Sequence, residues 1–292
     1  MALSFKKIHP SFAAEVSPVD LRQVDDKATL DQIRAAMDDY AVLVFHGQSF
    51  SKDEQLAFGQ RLDGKVNMTS ATAAVLGKSR IPYEGMIDVS NVTPNGEVWG
   101  VNDRKRMHRM MNRLWHSDAS YQNPCGRYSM LWGKVVPPVS AATEFADMRA
   151  AYDALDPDMK PTLEPLRVSH SHSYSKEILG FEYPEDAREK FKGAVHPLIR
   201  TIPRSNRRAL YLAAHASHIV DWPVPEGRVL LRDLTEHATQ RQFVYRHEWT
   251  AGDLVIWDNR ATMHRGRPYE DTKYRRELVR VTTLDYPESA AA

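Results

Sequence analysis

From about residue 85 onward the chain is cut into short runs rich in Val, Ile, Tyr and Trp, each bounded by Pro, Gly, Asn or Asp. Such runs are strand chemistry, because β-branched and aromatic side chains suit a pleated, half-buried surface and the flanking residues suit turns. The expected strands are Met86–Val89, Leu114–Tyr121, Tyr128–Val136, Glu144–Met148, His196–Thr201, Ala209–Leu212, Phe243–Trp249, Leu254–Trp257 and Glu277–Leu284. Helical patterns intrude only near Arg149–Leu155 and Val229–Thr239. Many short strands with a minority of helices predict a mainly β fold with peripheral helices, built on a jelly-roll or barrel core.

The N-terminal third reads as mixed α/β. Leu30 to Tyr40 places Leu30, Ile33 and Met37 on one helical face, with Thr29 as the expected cap, and Ala41–Phe45 follows as a short buried strand. Ser51 followed by Glu54 is a capping-box signature for a second helix through Leu62. The 14 Gly and 17 Pro are scattered as turn punctuation, with no repeat and no linker, so residues 1–292 read as a single domain.

Charge and cysteine content narrow the function. With 39 Lys+Arg against 38 Asp+Glu the net charge is +1, which argues against nucleic acid or an anionic membrane as the partner. No stretch approaches transmembrane length, and the start lacks a signal-peptide core, so a cytoplasmic location is expected. The sequence leaves a homo-oligomer open. A lone Cys125 rules out an intramolecular disulfide and any multi-cysteine metal site; it reads as a small packed side chain. A bound metal must therefore be held by histidine and carboxylate.

Leu114-Trp115-His116-Ser117-Asp118 is the first segment with chemical content. In a strand, residues i and i+2 share a face, so His116 and Asp118 would project together and supply two ligands of a facial triad for non-haem Fe(II). In a chain with 12 histidines one His-x-Asp is close to chance. A third ligand is on offer at His264, beyond the turn Trp257-Asp258-Asn259-Arg260. Further on, Arg276 and Arg280 would share a strand face, roughly 13 Å apart at about 3.3 Å per residue. Inward-pointing guanidiniums need anions, and carboxylates suit their planar fork; otherwise the two sit on an exposed face.

Taken in order and spacing, these segments resemble the Fe(II)/2-oxoglutarate-dependent taurine dioxygenase family, and within it the 2,4-dichlorophenoxyacetate dioxygenase branch. The likeness runs along nearly the whole chain, through Val42-Leu43-Val44-Phe45 before Gly47-Gln48, Ser90-Asn91-Val92, Phe145 to Leu155, Ala214 to His218 and Glu236 to Thr239. It implies a double-stranded β-helix, a jelly-roll variant, with His116, Asp118 and His264 as iron ligands. It further implies Arg276 and Thr143 on the distal carboxylate of the 2-oxoglutarate cosubstrate, and Arg280 on the carboxylate of a small-molecule substrate or on a nearby cosubstrate oxygen. Dioxygen would be the third reactant. Hydroxylation of an aryloxyalkanoate beside its ether oxygen would give a phenol and glyoxylate, with succinate and CO2 from the cosubstrate. The same chemistry on a sulfonate such as taurine, or another small acid, is the alternative. A zinc hydrolase built on the same three residues and a non-catalytic jelly-roll binding protein are alternatives of other classes. Two departures stand out: Ser140-Ala141-Ala142 where relatives usually have a Gly-Gly pair, and Ile202 where many carry His.

Other residues are weaker candidates. His215 and His218 either line the substrate pocket or are structural, and Lys65 is a candidate partner for a substrate carboxylate. His170 and His172 have the spacing of a metal pair but lack a further ligand, so exposed or hydrogen-bonded histidines are expected. Arg104-Lys105-Arg106 with His108 and Arg109 reads as a solvated loop that steers anions. Asn67 to Tyr83 is expected to belong to a lid over the substrate.

Overall fold

The structure, a computed structural model, describes residues 2–69, 79–182, 185–190 and 193–286; most of the expected lid lies outside them. Among the described residues fifteen strands are formed: β1 (Ser4–Lys7), β2 (Ala14–Ser17), β3 (Val42–Phe45), β4 (Met86–Asp88), β5 (Gly126–Val135), β6 (Thr143–Asp147), β7 (Arg167–His170), β8 (Ala194–Pro197), β9 (Ile199–Thr201), β10 (Arg208–Leu210), β11 (Ala216–Ile219), β12 (Val244–His247), β13 (Leu254–Asp258), β14 (Thr262–Gly266) and β15 (Glu277–Leu284). A seven-stranded sheet runs β1-β2-β3-β13-β5-β15-β4, and a three-stranded sheet runs β12-β6-β14. A second three-stranded sheet, β11-β7-β8, and the pair β10-β9 complete the set. The sheet neighbours are antiparallel apart from β2 and β3. β13 inserts between β3 and β5, with Ile256 opposite both Leu43 and Met130. Such long-range insertion of late strands between early ones is how a jelly roll closes two sheets over one interior.

Strict alternation along the central strands explains why their sequences read as unbroken apolar runs. Val42, Val44, Leu131, Val255, Trp257 and Leu278 face inward and pack on Phe145 of the small sheet. Leu43, Phe45, Tyr128, Met130, Leu254 and Ile256 face the other way, under two helices. These are α1 (Lys27–Tyr40) and α2 (Lys52–Asp63), which cover that face with Leu30, Ile33, Met37, Phe58 and Leu62. Both faces of the central strands are thus covered. The capping box forms as expected, with Ser51 Oγ accepting from Glu54 N and the Glu54 carboxylate accepting from Ser51 N. The cap of α1 is Asp26 rather than Thr29, which lies inside the helix and is buried. The apolar stripe begins one turn after the helix does, so the pattern alone placed the start too late.

Leu114–Tyr121 is not a strand. His116 makes one isolated bridge to His264, with backbone bonds of 3.0 and 2.8 Å in the two directions, and the chain then turns through residues 118–121. Ala119 adopts φ 54° in that turn. The helix expected at Val229–Thr239 runs Val224–Ala238, with Pro223 and Pro225 at its start, where a missing N–H costs nothing. Ile202 is buried with Leu210 and Leu212 in a core under that helix, away from the cleft described below. Among the described residues no helix is long and apolar enough to cross a membrane.

Candidate metal centre and acid-binding cleft

His116, Asp118 and His264 meet because three different elements end at the same place: the isolated bridge, the turn after it, and the middle of β14. Their ligand atoms lie within 4.8 Å of one another, and all three residues are buried. His116 Nδ1 is 2.8 Å from the Leu114 carbonyl, which can only accept, so Nδ1 carries the hydrogen and Nε2 presents its lone pair. That Nε2 is 3.9 Å from Asp118 Oδ1, and His264 Nε2 is 3.8 Å from Asp118 Oδ2. Both gaps exceed a hydrogen bond, and ligands sharing one ion at about 2.1 Å lie roughly 3 to 4 Å apart. Burial pushes both imidazoles below their ordinary pKa, keeping them neutral as metal ligation requires. Burial also opposes ionisation of Asp118, yet the Arg280 guanidinium, with the hydrogen bond from Ser129, holds its carboxyl below the usual range. Two imidazoles and a carboxylate thus converge, with the hydrogen of His116 held on the far side of its ring. That donor set fits a divalent cation of the Fe(II) type.

A second ring of contacts fixes these three. Asp118 Oδ1 accepts from Arg280 Nη1 at 2.5 Å, and Oδ2 accepts from Ser129 Oγ at 2.7 Å. Ser129 has one hydrogen and spends it on the carboxylate, so Thr282 Oγ1 at 2.9 Å and Asn259 Nδ2 at 3.0 Å donate to it. Asn259 Oδ1 accepts from Asp118 N at 2.9 Å and from Trp257 Nε1 at 3.0 Å. The Trp257–Arg260 turn is therefore a clamp on the turn that carries Asp118. Arg260 closes it through Asp258 and Asp285 at 2.7 and 3.1 Å. Gly126 opens β5 against the same turn; a Cβ there would lie 2.4 Å from the Asp118 carbonyl oxygen, so no larger residue fits.

Leu278, Arg280 and Thr282 all project from β15 toward the interior, as the strand period requires. Arg276 precedes the strand and lines a neighbouring cavity with Ala142, Gly266 and Tyr269. Its guanidinium lies over the Trp249 ring, 5.9 Å from the centroid, and its Nε is buried without a hydrogen-bond partner. Burial pushes Arg276 down to about 10. Trp249 Nε1 donates to Thr143 Oγ1 at 3.0 Å, so one indole links the two residues expected to bind the cosubstrate. The Ser140–Ala142 segment is held in place despite lacking glycine: Ser140 bonds Glu248, and the Ala142 carbonyl accepts from Arg267 N at 2.8 Å.

His215 lines the main cleft beside the triad, its ring 6.3 Å from that of His116 and 4.9 Å from that of Tyr121. His218 does not; it is half-buried on β11, where its Nδ1 meets Ser217 Oγ at 3.0 Å. Lys65 is exposed, its ammonium 4.5 Å over the ring of Tyr286, outside the cleft. His170 and His172 are buried rather than exposed, and the chain bends between β7 and the helix His172–Glu177 so that they part. His170 packs against His196 and Tyr211, while His172 stacks on His215 in the cleft. The Arg104–His108 segment is a short helix rather than a solvated loop, and His108 is buried. Sequence reasoning missed Tyr121 and Lys176 as lining residues, and placed His108 and Arg109 in solvent. A lysine in Ser-Tyr-Ser-Lys-Glu reads as an exposed helical residue, so no local signal marks it.

The model of the taurine catabolism dioxygenase TauD, TfdA family matches residues 4–282. The alpha-ketoglutarate-dependent 2,4-dichlorophenoxyacetate dioxygenase of Cupriavidus pinatubonensis (strain JMP 134) is 47% identical over 292 residues, 98% of this chain and 99% of its own. The (S)-phenoxypropionate/alpha-ketoglutarate-dioxygenase of Sphingobium herbicidovorans is 33% identical over 283 residues, covering 94% and 92% of the two chains. Among solved structures, that of AAD-2 in complex with Mn(II) and N-oxalylglycine superposes with a TM-score of 0.89 at 40% identity, covering 98% of each chain. A two-histidine, one-carboxylate cluster in a jelly roll, matched along this length, places the chain in the TauD, TfdA family of 2-oxoglutarate-dependent dioxygenases.

Proposed function

We propose that this enzyme cleaves the ether of an aryloxyalkanoate of the 2,4-dichlorophenoxyacetate type, with His116, Asp118 and His264 holding Fe(II). The observation that carries the reading is a buried His-Asp-His cluster opening into a cleft lined by cationic side chains. Similarity to the 2,4-dichlorophenoxyacetate and phenoxypropionate dioxygenases supports the substrate class. When bound, Fe(II) and 2-oxoglutarate supply the oxidising chemistry, which takes up dioxygen and releases succinate and CO2. Oxygen inserted at the carbon between ether oxygen and carboxylate leaves a hemiacetal, which collapses to a phenol and glyoxylate.

The chain's own residues position and shield. Arg276 and Thr143, joined through Trp249, would seat the distal carboxylate of 2-oxoglutarate; the unpartnered Arg276 Nε is the donor that such an anion satisfies. Arg280 orients Asp118 and offers its own unpartnered buried Nε toward the substrate acid. His215 and Tyr121 wall the cleft with ring faces that suit an aryl group. The test is oxygen uptake and succinate release with Fe(II), 2-oxoglutarate and a panel of phenoxyacetates, phenoxypropionates and taurine. Phenol release from a phenoxyacetate is expected. Turnover of taurine without phenol from any aryloxy acid would overturn the substrate assignment.

A further inference from the structure

Lys176 is only 1% exposed. Lysine is almost never buried so completely without an acid beside it, yet among the described residues Lys176 makes no ion pair. Its Nζ donates to the His108 carbonyl at 2.9 Å and lies 3.2 Å from His108 Nδ1. Where Lys176 is the ammonium it has no lone pair, so His108 Nδ1 accepts and Nε2 carries the ring hydrogen. That Nε2 is buried, with no hydrogen-bond partner among the described residues. The next residue, Arg109, lies over the Trp99 ring at 4.6 Å and donates to the Ser90 carbonyl, again with no carboxylate in contact. Lys176, His108 and Arg109 all line the main cleft. Its acids are already committed, Asp88 to Arg80 at 3.0 Å and Asp118 to Arg280. Burial, with the nearby Arg109 charge, pushes Lys176 down to about 7 and, with Lys176 the leading nearby charge, pushes His108 down to about 3. Lys176 and Arg109 thus line one corner of the cleft with no carboxylate in direct contact among the described residues, Asp88 acting on Arg109 only at a distance, and an entering anion would stabilise both.

We propose that the Lys176–His108–Arg109 corner is an anion-binding subsite that seats a carboxylate of the prime substrate, with Lys176 as a specificity-determining residue. This rests on reading the cleft as the site of an acid-processing dioxygenase. The carboxylate comes either from the alkanoate arm or from an acid group on the aryl ring, and the two sources separate experimentally.

The experiment compares wild type, Lys176→Met, Lys176→Arg and the exposed control Lys134→Met, with phenoxyacetate and 4-carboxyphenoxyacetate as substrates. Losing a charge-assisted hydrogen bond to a carboxylate raises KM by about 10- to 100-fold, and Lys176→Arg recovers most of it. A rise for both acids identifies the alkanoate carboxylate; a rise for 4-carboxyphenoxyacetate alone identifies the ring acid. Melting of the metal-free proteins supplies a readout independent of turnover. Without ligand, Lys176→Met melts above wild type, because it removes an unmatched buried charge. Added 4-carboxyphenoxyacetate raises the melting temperature of wild type and Lys134→Met but not of Lys176→Met. Should the Met variant fail to fold, Lys176→Gln carries the same comparison. Equal ligand-induced stabilisation in wild type and Lys176→Met, with KM values within about threefold, overturns the subsite. Loss of turnover on every aryloxy acid in wild type overturns the functional reading instead, and the melting comparison still decides the subsite.

Discussion

Asn259→Ala is expected to damage both the fold and the metal centre, although Asn259 is not a proposed ligand. The side chain is fully buried and makes four hydrogen bonds. Removing Oδ1 strands two buried donors, Asp118 N and Trp257 Nε1, which make no other hydrogen bond among the described residues. A buried donor left unsatisfied costs roughly 1–3 kcal/mol. On the other side of the amide the loss is mild, because the Arg127 carbonyl still accepts from Asn259 N at 2.8 Å and Ser129 Oγ retains Thr282. The two stranded donors therefore dominate, and about 3–5 kcal/mol of stability is expected to go. Urea unfolding of the metal-free protein measures this directly. The turn carrying Asp118 also loses its anchor, so Mn(II) affinity, followed by the EPR signal of free Mn(II), should fall by about 10- to 100-fold. A variant within about 1 kcal/mol of wild type and with wild-type Mn(II) affinity would refute the view that the Trp257–Arg260 turn is a clamp on Asp118.

Further outcomes follow from other contacts. His264→Ala should abolish Mn(II) binding to the protein, read by the same EPR titration; retained binding would remove it from the ligand set. Arg276→Ala should raise the KM for 2-oxoglutarate by about 10-fold or more while changing the KM for phenoxyacetate much less, and equal shifts in both would argue against a cosubstrate role. Arg149 is buried, pairs with Asp147 at 2.9 Å and donates to the carbonyls of Asp38 and Asp39. Its replacement by Ala should cost about 3–5 kcal/mol by leaving a buried carboxylate unpaired, measured by denaturant unfolding. Burial pushes His170 down to about 3, against about 6.5 in the unfolded chain. Above pH 6.5 both states are neutral there. As pH falls from about 6.5 toward 3, the unfolded chain binds a proton that the fold refuses, and stability declines by on the order of 4 kcal/mol. His170→Phe should flatten that acid limb in unfolding curves taken between pH 7 and pH 4, and an unchanged slope would show that His170 is not its source.

Where a property depended on neighbours in sequence, the sequence determined it. Alternation and turn residues specified a jelly roll, Ser51 and Glu54 specified the start of α2, and Leu30, Ile33 and Met37 specified the buried face of α1. His116, Asp118, His264, Arg276 and Arg280 were legible as chemistry because their spacing matches a family pattern. His116 and Asp118 converge through one bridge and a turn held by Asn259, not through the shared strand face that their spacing predicts. Only the tertiary structure decided which polar residues reach the cleft. Lys176, His108, Arg109, His172 and Tyr121 enter it from separate segments, and Lys65 and His218 stay outside. The physical reason is that burial of a charged or aromatic side chain is set by which elements pack over it. In this chain those elements lie up to a hundred residues or more away, as with Asp118 and the Arg280 that pairs with it. Local pattern fixes the strands and their faces; closure of the two sheets fixes what those faces enclose.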